Sequence, residues 1–340
     1  MKLKQIILGA CAVMALSPAA LKAQILYSEN FDVNHTSGWT VNSNFGGATN
    51  AANFFFDYST VGIPSAPNSG GSTTGLKLGA NLLGVATPAA SPLAGISVSP
   101  TGQGFTGNYT VKFDWWQNWL GAVGAANAGI GASAGGSGST QLSTFGVLSS
   151  GTTASYAGAT DGVFFGATGD GASATDFRAY SSGAQAGYAV GNTTNTYAAG
   201  SQNSSAALYQ TLFPAGKTAP GAQITISSTQ TNSTLAGTAG FAWHNVEIIV
   251  SSTNVLWKVD GTLLDTLDTT GLNLSGTNIL FGMSDTSTGA GTPASLFQQL
   301  DFTLIDNINV FVTPVPEPAV TALVVLGAAG LCLIRRRRQT

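Results

Sequence analysis

The sequence predicts an all-β sandwich with long loops, and three observations support this fold class. Several short segments alternate apolar and polar residues, which is the pattern of a strand with one buried face. Asp260 and Gly261 stand between two such segments, and an Asp-Gly pair marks a hairpin turn that needs positive φ at both positions. No long segment between the two termini has the 3.6-residue periodicity with end caps that predicts a helix.

The alternation is clearest where Val111, Phe113 and Trp115 fall on one face and Lys112 and Asp114 fall on the other. The first set is apolar, so we expect it to face the core. Similar patterns or short apolar runs predict further strands at residues 246–250, 254–259, 262–264, 278–283, 302–305 and 308–312.

The long loops of the predicted sandwich are rich in small residues. Residues 121–140 are mostly Gly, Ala and Ser, and no charged residue occurs between Trp115 and Thr160. Such composition is also typical of a flexible linker. Because apolar residues such as Leu142 and Phe145 follow, we interpret the segment as a Gly/Ala/Ser-rich loop within one sandwich.

The first 23 residues have the three parts of a secretory signal peptide. Two lysines near the start precede the apolar residues 6–16, and small residues follow before Gln24. This pattern predicts export and a mature chain that begins at Gln24. Cleavage after Ala20 and lipoprotein processing at Cys11 are alternatives.

The C-terminal tail combines a Pro-Glu-Pro element, an apolar segment and an arginine cluster, in that order. Residues 319–334 carry no charge and would form a helix of about 24 Å, which predicts a short transmembrane helix. Basic residues stay in the cytoplasm, so the body is expected outside. The Pro-Glu-Pro element consists of Pro316, Glu317 and Pro318, and the arginine cluster consists of Arg335, Arg336, Arg337 and Arg338.

This order of features resembles the PEP-CTERM sorting signal of Gram-negative bacteria, a tail also named the ice-binding-protein C-terminal domain. The resemblance implies passage through the secretion translocon and processing by an exosortase-type enzyme. It further implies an inner-membrane anchor before processing and a cell-surface or extracellular location afterwards. The chain then divides into a signal peptide (1–23), an ectodomain (24–313) and a sorting signal (314–340).

The exported body is acidic, although the whole chain has a formal charge of only −3. Between residues 24 and 315 there are five basic and fourteen acidic residues, a formal charge of −9. This balance argues against nucleic acid as a partner and is compatible with divalent cations. Both cysteines, Cys11 and Cys332, lie in the terminal segments, so the body has no disulfide and no thiol nucleophile.

Two parts of the body resemble jelly-roll proteins. Residues 243–248 and 257–261 are similar to the Trp-His-x-Val strand and the x-Val-Asp-Gly hairpin of laminin-G and concanavalin-like sandwiches. Residues 29–32 and 306–308 resemble the first and last strands of carbohydrate-binding jelly rolls. The resemblance implies a jelly-roll β-sandwich.

A structural Ca²⁺ is a candidate cofactor of this fold. In a jelly roll the first and last strands commonly lie side by side, which would bring Glu29 and Asp32 near Asp306. Calcium needs six to eight oxygen ligands, so Asn30, Asn307, backbone carbonyls and water would complete the set. The alternative is that Asp306 and Asn307 form a turn between strands and that Glu29 is solvated.

Trp116 and Trp119 are candidate ligand-binding residues, because sugars stack on exposed indole rings. The favoured interpretation is that both are buried in the core or under the loops.

Catalytic signatures are scarce in the body. Its histidines are His35 and His244, and we expect a packing or turn role for His244. The body has no Walker motif. A glycosidase needs two carboxylates at a separation that a sequence does not show. Concanavalin-like glycosidases usually carry a Glu-rich strand motif, and this body has only Glu29 and Glu247.

Together these features predict an exported, non-enzymatic cell-surface or extracellular-matrix protein that is sorted through its tail. The alternative is a carbohydrate-binding module for extracellular polysaccharide, and a glycosidase ranks third.

Overall fold

The computed structural model describes residues 23–45, 49–82, 94–120, 141–154, 162–169, 177–181, 195–197, 206–228, 230–231, 233–285 and 299–313. These residues form fifteen strands: β1 Ile25–Glu29, β2 Trp39–Ser43, β3 Ala51–Asp57, β4 Thr74–Gly79, β5 Ala94–Pro100, β6 Tyr109–Asn118, β7 Gln141–Ser149, β8 Val163–Ala167, β9 Phe177–Ser181, β10 Asn195–Tyr197, β11 Trp243–Val250, β12 Asn254–Val259, β13 Thr262–Asp268, β14 Asn278–Asp285 and β15 Phe302–Val312. The helical segments are short: α1 Ala207–Leu212 and the 3₁₀ turns Thr36–Gly38, Tyr58–Val61 and Gly221–Thr225.

The strands form two antiparallel sheets, which confirms the all-β class. The large sheet has the order β10-β13-β12-β11-β6-β15-β4-β3, and β1 also pairs with β15. The small sheet has the order β2-β5-β14-β7-β8-β9. Strands that follow each other in the chain, such as β5 and β6 or β14 and β15, lie in different sheets. This is a two-sheet sandwich of the kind that the jelly-roll resemblance implies.

The core lies between the two sheets and contains the residues predicted to face it. Val111, Phe113 and Trp115 of β6 are all buried in the largest apolar cluster. The ring of Phe145 on β7 lies 4.9 Å from that of Phe113 and 5.4 Å from that of Trp115, centroid to centroid. These contacts join the large sheet to the small one.

The hairpin between β12 and β13 has the predicted turn. Asp260 and Gly261 have φ values of 48° and 77°, so both are left-handed as a two-residue hairpin turn requires. β11, the neighbour of β12, shows strict alternation of buried and half-buried residues.

The opposite face of β6 is also covered, in agreement with the burial favoured for Trp116. Trp116, Trp119, Tyr58, Phe241 and Phe302 belong to a second buried cluster on that face. Asp114 lies on the same side of β6 and is fully buried, so its expected place on a solvent face is wrong. The reason is tertiary: the chain around Tyr58 and the segment before β11 pack over this part of the sheet.

The first and last strands of the fold lie side by side, as the jelly-roll resemblance implies. β1 runs antiparallel to β15, with Glu29 opposite Ile308. The two strands predicted at 302–305 and 308–312 are one continuous strand, which corrects the alternative of a turn at Asp306 and Asn307. The register with β6 shifts between Asp306 and Asn309, and Asn307 has φ 54°, so the strand carries a bulge there.

In the part of the chain that the structure describes, no helix has the length and apolar character needed to cross a membrane. The predicted signal peptide up to residue 22, the Gly/Ala/Ser-rich residues 121–140 and the predicted sorting tail, including the helix expected at 319–334, lie outside the described residues.

Candidate functional site

A cavity of about 560 Å³ opens where β1 and β15 meet a loop that follows Tyr58. We call it the amide cavity because asparagines dominate its lining. It is lined by Ser28, Glu29, Asn30, His35, Asn68, Ser69, Gly70, Asn307, Ile308 and Asn309. The lining therefore contains amides, hydroxyls, one carboxylate and one imidazole, and no aromatic carbocycle.

The chain turns sharply after β1 to form one wall of the cavity. Phe31 has φ 56°, a conformation that is rare for a bulky side chain. Two contacts hold it there: its backbone N–H donates to Glu29 Oε1 at 2.9 Å, and its ring packs on Trp39 at 5.7 Å between centroids. The same turn carries Asn30, whose Nδ2 donates to Asp32 Oδ2 at 2.6 Å.

The bulge in β15 supplies the opposite wall. The backbone N–H of Asn307 donates to Asp306 Oδ1 at 2.7 Å, and its Nδ2 donates to Asp114 Oδ2 at 2.9 Å. Asn309 Nδ2 donates to the Asn307 carbonyl at 3.1 Å. Asparagine tolerates the left-handed conformation better than most residues, which suits it to this bulge.

Asp114 connects the bulge to the loop that carries Asn68. Its carboxylate accepts from the backbone N–H of Asn68 at 3.0 Å and from Asn68 Nδ2 at 2.7 Å. A longer contact of 3.4 Å comes from Asn245 Nδ2 on β11. Asp114 is fully buried, and amide donors rather than a cation satisfy it in the described structure.

Asp306 is the second buried carboxyl group beneath the cavity. Burial raises its pKa to about 7, and the negative charges of Asp114 and Asp32 add to the effect. The Tyr58 hydroxyl lies 3.0 Å from both Asp306 Oδ2 and the Ser72 carbonyl oxygen. A hydroxyl has one proton, so a proton on Asp306 lets both contacts be hydrogen bonds.

Glu29 and His35 form the titratable rim of the cavity. Glu29 is mostly buried, and its Oε2 lies 3.1 Å from His35 Nδ1. The His35 side chain is 55% exposed, so this pair is open to solvent on one side.

The three carboxylates expected to bind Ca²⁺ have separate partners. Glu29 contacts Phe31 and His35, Asp32 contacts Asn30, and Asp306 contacts Tyr58 and Asn307. The described residues contain no group of three or more His, Cys, Asp or Glu side chains that could hold a metal ion. The adjacency of β1 and β15 does bring Glu29 and Asn307 to the same cavity. The calcium ion itself stays a prediction.

The tryptophans considered for sugar stacking lie away from this cavity. Trp116 is 3% exposed and Trp119 is fully buried. Trp119 stacks on Phe241 at 4.7 Å, and Trp116 packs against Trp243 at 5.8 Å, centroid to centroid. Neither indole offers an open face to a ligand, which is the burial that we favoured from the sequence.

A second cavity of about 190 Å³ lies beside His244 and Asp260. His244 Nδ1 is 2.7 Å from Asp260 Oδ2, and its Nε2 is 3.0 Å from the Ala239 carbonyl oxygen. Both ring nitrogens face oxygen atoms, so neither is available to take a proton from a substrate. The expected turn role fits this geometry, because His244 fastens the hairpin turn at Asp260 to β11.

The sequence did not single out Asn68, Asn309 or Asp114 as site residues. Asn68 lies 46 residues from Asp114 and Asn307 lies 193 residues from it. The local signal around Asn68 is its turn composition, with Pro67, Ser69 and the glycines that follow. This composition predicts a loop but does not show which residues the loop contacts.

No family model matches the chain, and no curated protein matches it. Among solved structures, it is similar to a Bacillus subtilis protein of unknown function with a galectin-like fold (8% identity, TM-score 0.38, 85% of this chain and 97% of that one). It is also similar to the carbohydrate recognition domain of Emp46p (10%, 0.40, 87% and 100%) and to the Bacillus licheniformis β-glucanase (12%, 0.37, 85% and 98%). These likenesses carry no ligand or activity to this chain.

Proposed function

We propose that the chain is an exported, non-enzymatic surface protein whose sandwich binds a polysaccharide through the amide cavity. The observation that carries this proposal is the convergence of four asparagines and two serines on one cavity: Ser28, Asn30, Asn68, Ser69, Asn307 and Asn309. This convergence supports the carbohydrate-binding alternative from the sequence over a purely structural matrix role.

The chemistry of these side chains suits a polyhydroxylated ligand. A sugar hydroxyl both donates and accepts, and amide and hydroxyl side chains offer both functions at short range. The volume of about 560 Å³ falls in the usual range for a small-ligand site. One or two sugar units of a longer chain are therefore the expected occupants.

The hydrogen bonds beneath the cavity favour binding because they fix its walls in advance. Asn68 and Asn307 are both held by the buried Asp114, so the loop and the bulge keep one relative position. Preformed sites lose less conformational entropy when a ligand binds.

We propose no reaction for this cavity, because the two carboxyl groups beneath it are buried and hydrogen-bonded to the protein. Asp114 accepts from Asn68 and Asn307, and Asp306 is bound by Tyr58 and Asn307, while both are fully buried. A glycosidase needs two carboxyl groups that reach the scissile bond. These two are committed to the protein.

Calorimetry with immobilised-glycan screening tests the proposal. The full-length chain should bind at least one neutral polysaccharide, and Asn309→Ala should weaken that binding by about 0.5–1.5 kcal/mol, the value of one hydrogen bond. Asn254→Ala removes the same side chain from β12, away from the cavity, and should leave affinity unchanged. No binding to any glycan, or equal loss in both variants, would contradict the proposal.

Export and sorting are the second part of the proposal, and the order Pro-Glu-Pro, apolar segment and arginine cluster supports them. Changing Arg335, Arg336, Arg337 and Arg338 to Ala should impair surface display in a host with an exosortase, without unfolding the body. Mass spectrometry of the surface-located protein should show loss of the tail. An intact tail on the displayed protein would refute processing.

A further inference from the structure

Three asparagines of the amide cavity keep more acceptor than donor capacity for a ligand. Asn68 and Asn307 each donate from Nδ2 to the Asp114 carboxylate, at 2.7 and 2.9 Å, and Asn309 donates to a backbone carbonyl at 3.1 Å. A carboxylate only accepts, which fixes the end of each amide that faces Asp114. Within the described part of the chain, these hydrogen bonds leave each side chain both lone pairs of Oδ1 and one N–H, so acceptors outnumber donors.

The charged groups around the cavity also favour ligands that donate hydrogen bonds. Glu29 lines it, Asp32 bonds to the lining residue Asn30, and Asp114 and Asp306 lie beneath it. Even with a proton on Asp306, the carboxyl groups of Glu29, Asp32 and Asp114 attract cations and repel anions.

The basic side chains nearby already contact carboxylates. His35 lies 3.1 Å from Glu29, and Lys112, the register partner of Asn309 on β6, lies 3.0 Å from Glu247 on β11. A carboxylate or sulfate on a ligand would therefore meet amide oxygens and negative charge without a free cation among the described lining residues.

Resting on the proposed glycan binding, we infer that the cavity selects glycans that donate hydrogen bonds: amino sugars bind more tightly than neutral sugars, and uronic acid polymers are excluded. Hydroxyl and ammonium groups supply the donors that the Oδ1 atoms and Glu29 accept. A uronate carboxylate only accepts, so it leaves those oxygens unpaired and adds like-charge repulsion. Unpaired polar groups of this kind give strong rejection.

Three tetrasaccharides test the selectivity by calorimetry with the full-length chain at pH 6: glucosamine, N-acetylglucosamine and galacturonate oligomers. The glucosamine oligomer should bind on the order of tenfold more tightly than the N-acetylated one, the size of a hydrogen bond to a charged group. The galacturonate oligomer should show no measurable heat. Binding of galacturonate as tight as that of glucosamine would overturn the inference and leave glycan binding intact.

Glu29→Gln and Asp268→Asn separate a local effect from the general acidity of the body. Each removes one negative charge, but Asp268 is an exposed residue at the end of β13, outside the cavity lining. Glu29→Gln should reduce the preference for glucosamine severalfold, and Asp268→Asn should leave it unchanged. Equal effects of both variants would overturn the local assignment, whereas no binding of any oligomer to the wild-type chain would refute the proposed function itself.

Discussion

Asp306 on β15 lies directly opposite Asp114 on β6, and both side chains are fully buried. The ion pairs of the described residues include neither carboxyl group. Asn307 bonds to both, through its backbone N–H and its side chain. Burial raises the pKa of Asp306 to about 7 and the negative charge of Asp114 adds to the effect, so Asp306 holds a proton that an isolated aspartate would lose. The floor of the cavity is therefore linked to pH.

Asp306→Asn tests this linkage. The pKa of Asp306 is raised to about 7 in the folded state, and the unfolded chain loses the proton near pH 4. Folding therefore takes up a proton between these values, and the contribution of Asp306 to stability falls as pH rises from 4 to 7. The neutral variant escapes this loss. Relative to wild type it should gain about 2.7 kcal/mol between pH 5 and 8, because two pH units separate pH 5 from the folded pKa and each is worth about 1.36 kcal/mol.

Urea unfolding at the two pH values measures the difference. Asp268→Asn is the control, because hydrogen bonding to Thr270 lowers the pKa of that exposed carboxyl group. Asp268 therefore loses its proton below the pH range of the experiment, and Asp268→Asn should keep the pH dependence of the wild type. Parallel curves for Asp306→Asn and wild type would show that Asp306 is ionised throughout.

Asp114→Ala should destabilise the fold by about 3–5 kcal/mol, because it removes a fully buried carboxylate that accepts from two N–H groups of Asn68 and from the buried side chain of Asn307. Lys112→Ala, two residues earlier on β6, removes a partly exposed partner of Glu247 and should cost less than about 1 kcal/mol. Chemical denaturation gives both values. Similar costs for the two variants would mean that the Asp114 network contributes little.

Trp116→Ala should cost about 3–5 kcal/mol, since a large buried side chain leaves a cavity in the cluster with Trp243. Phe55→Ala is the comparison, because Phe55 is 47% exposed on β3 and its loss should be mild. Thermal and urea unfolding report the stability of each. If the Trp116→Ala protein is as stable as wild type but no longer binds glycan, Trp116 is a sugar-stacking residue and not a core residue.

Local pattern was sufficient to predict part of the fold. Alternation at Val111, Phe113 and Trp115 and the turn at Asp260 and Gly261 each depend on neighbours in sequence, and the structure confirms them. Strands such as β5 and β7 were missed because nearly every residue in them is buried, which removes the alternation.

The site was less accessible to sequence reasoning. Adjacency of the first and last strands followed from the jelly-roll resemblance and brought Glu29 near Asn307. The burial of Asp114 did not follow, because it depends on Asn68 and the chain around Tyr58, which pack over β6 from a distant part of the sequence. No periodicity encodes such a contact.

The central claim is that the amide cavity binds glycan, and side-chain amide NMR of the full-length chain tests it most directly. Titration with the N-acetylglucosamine tetramer should shift the side-chain amide resonances of Asn68, Asn307 and Asn309 saturably, with one shared dissociation constant. The amide of Asn254, on β12, should not move. Shifts confined to residues around the second cavity, such as Lys217 and Thr238, or no shift with any glycan tested, would contradict the claim.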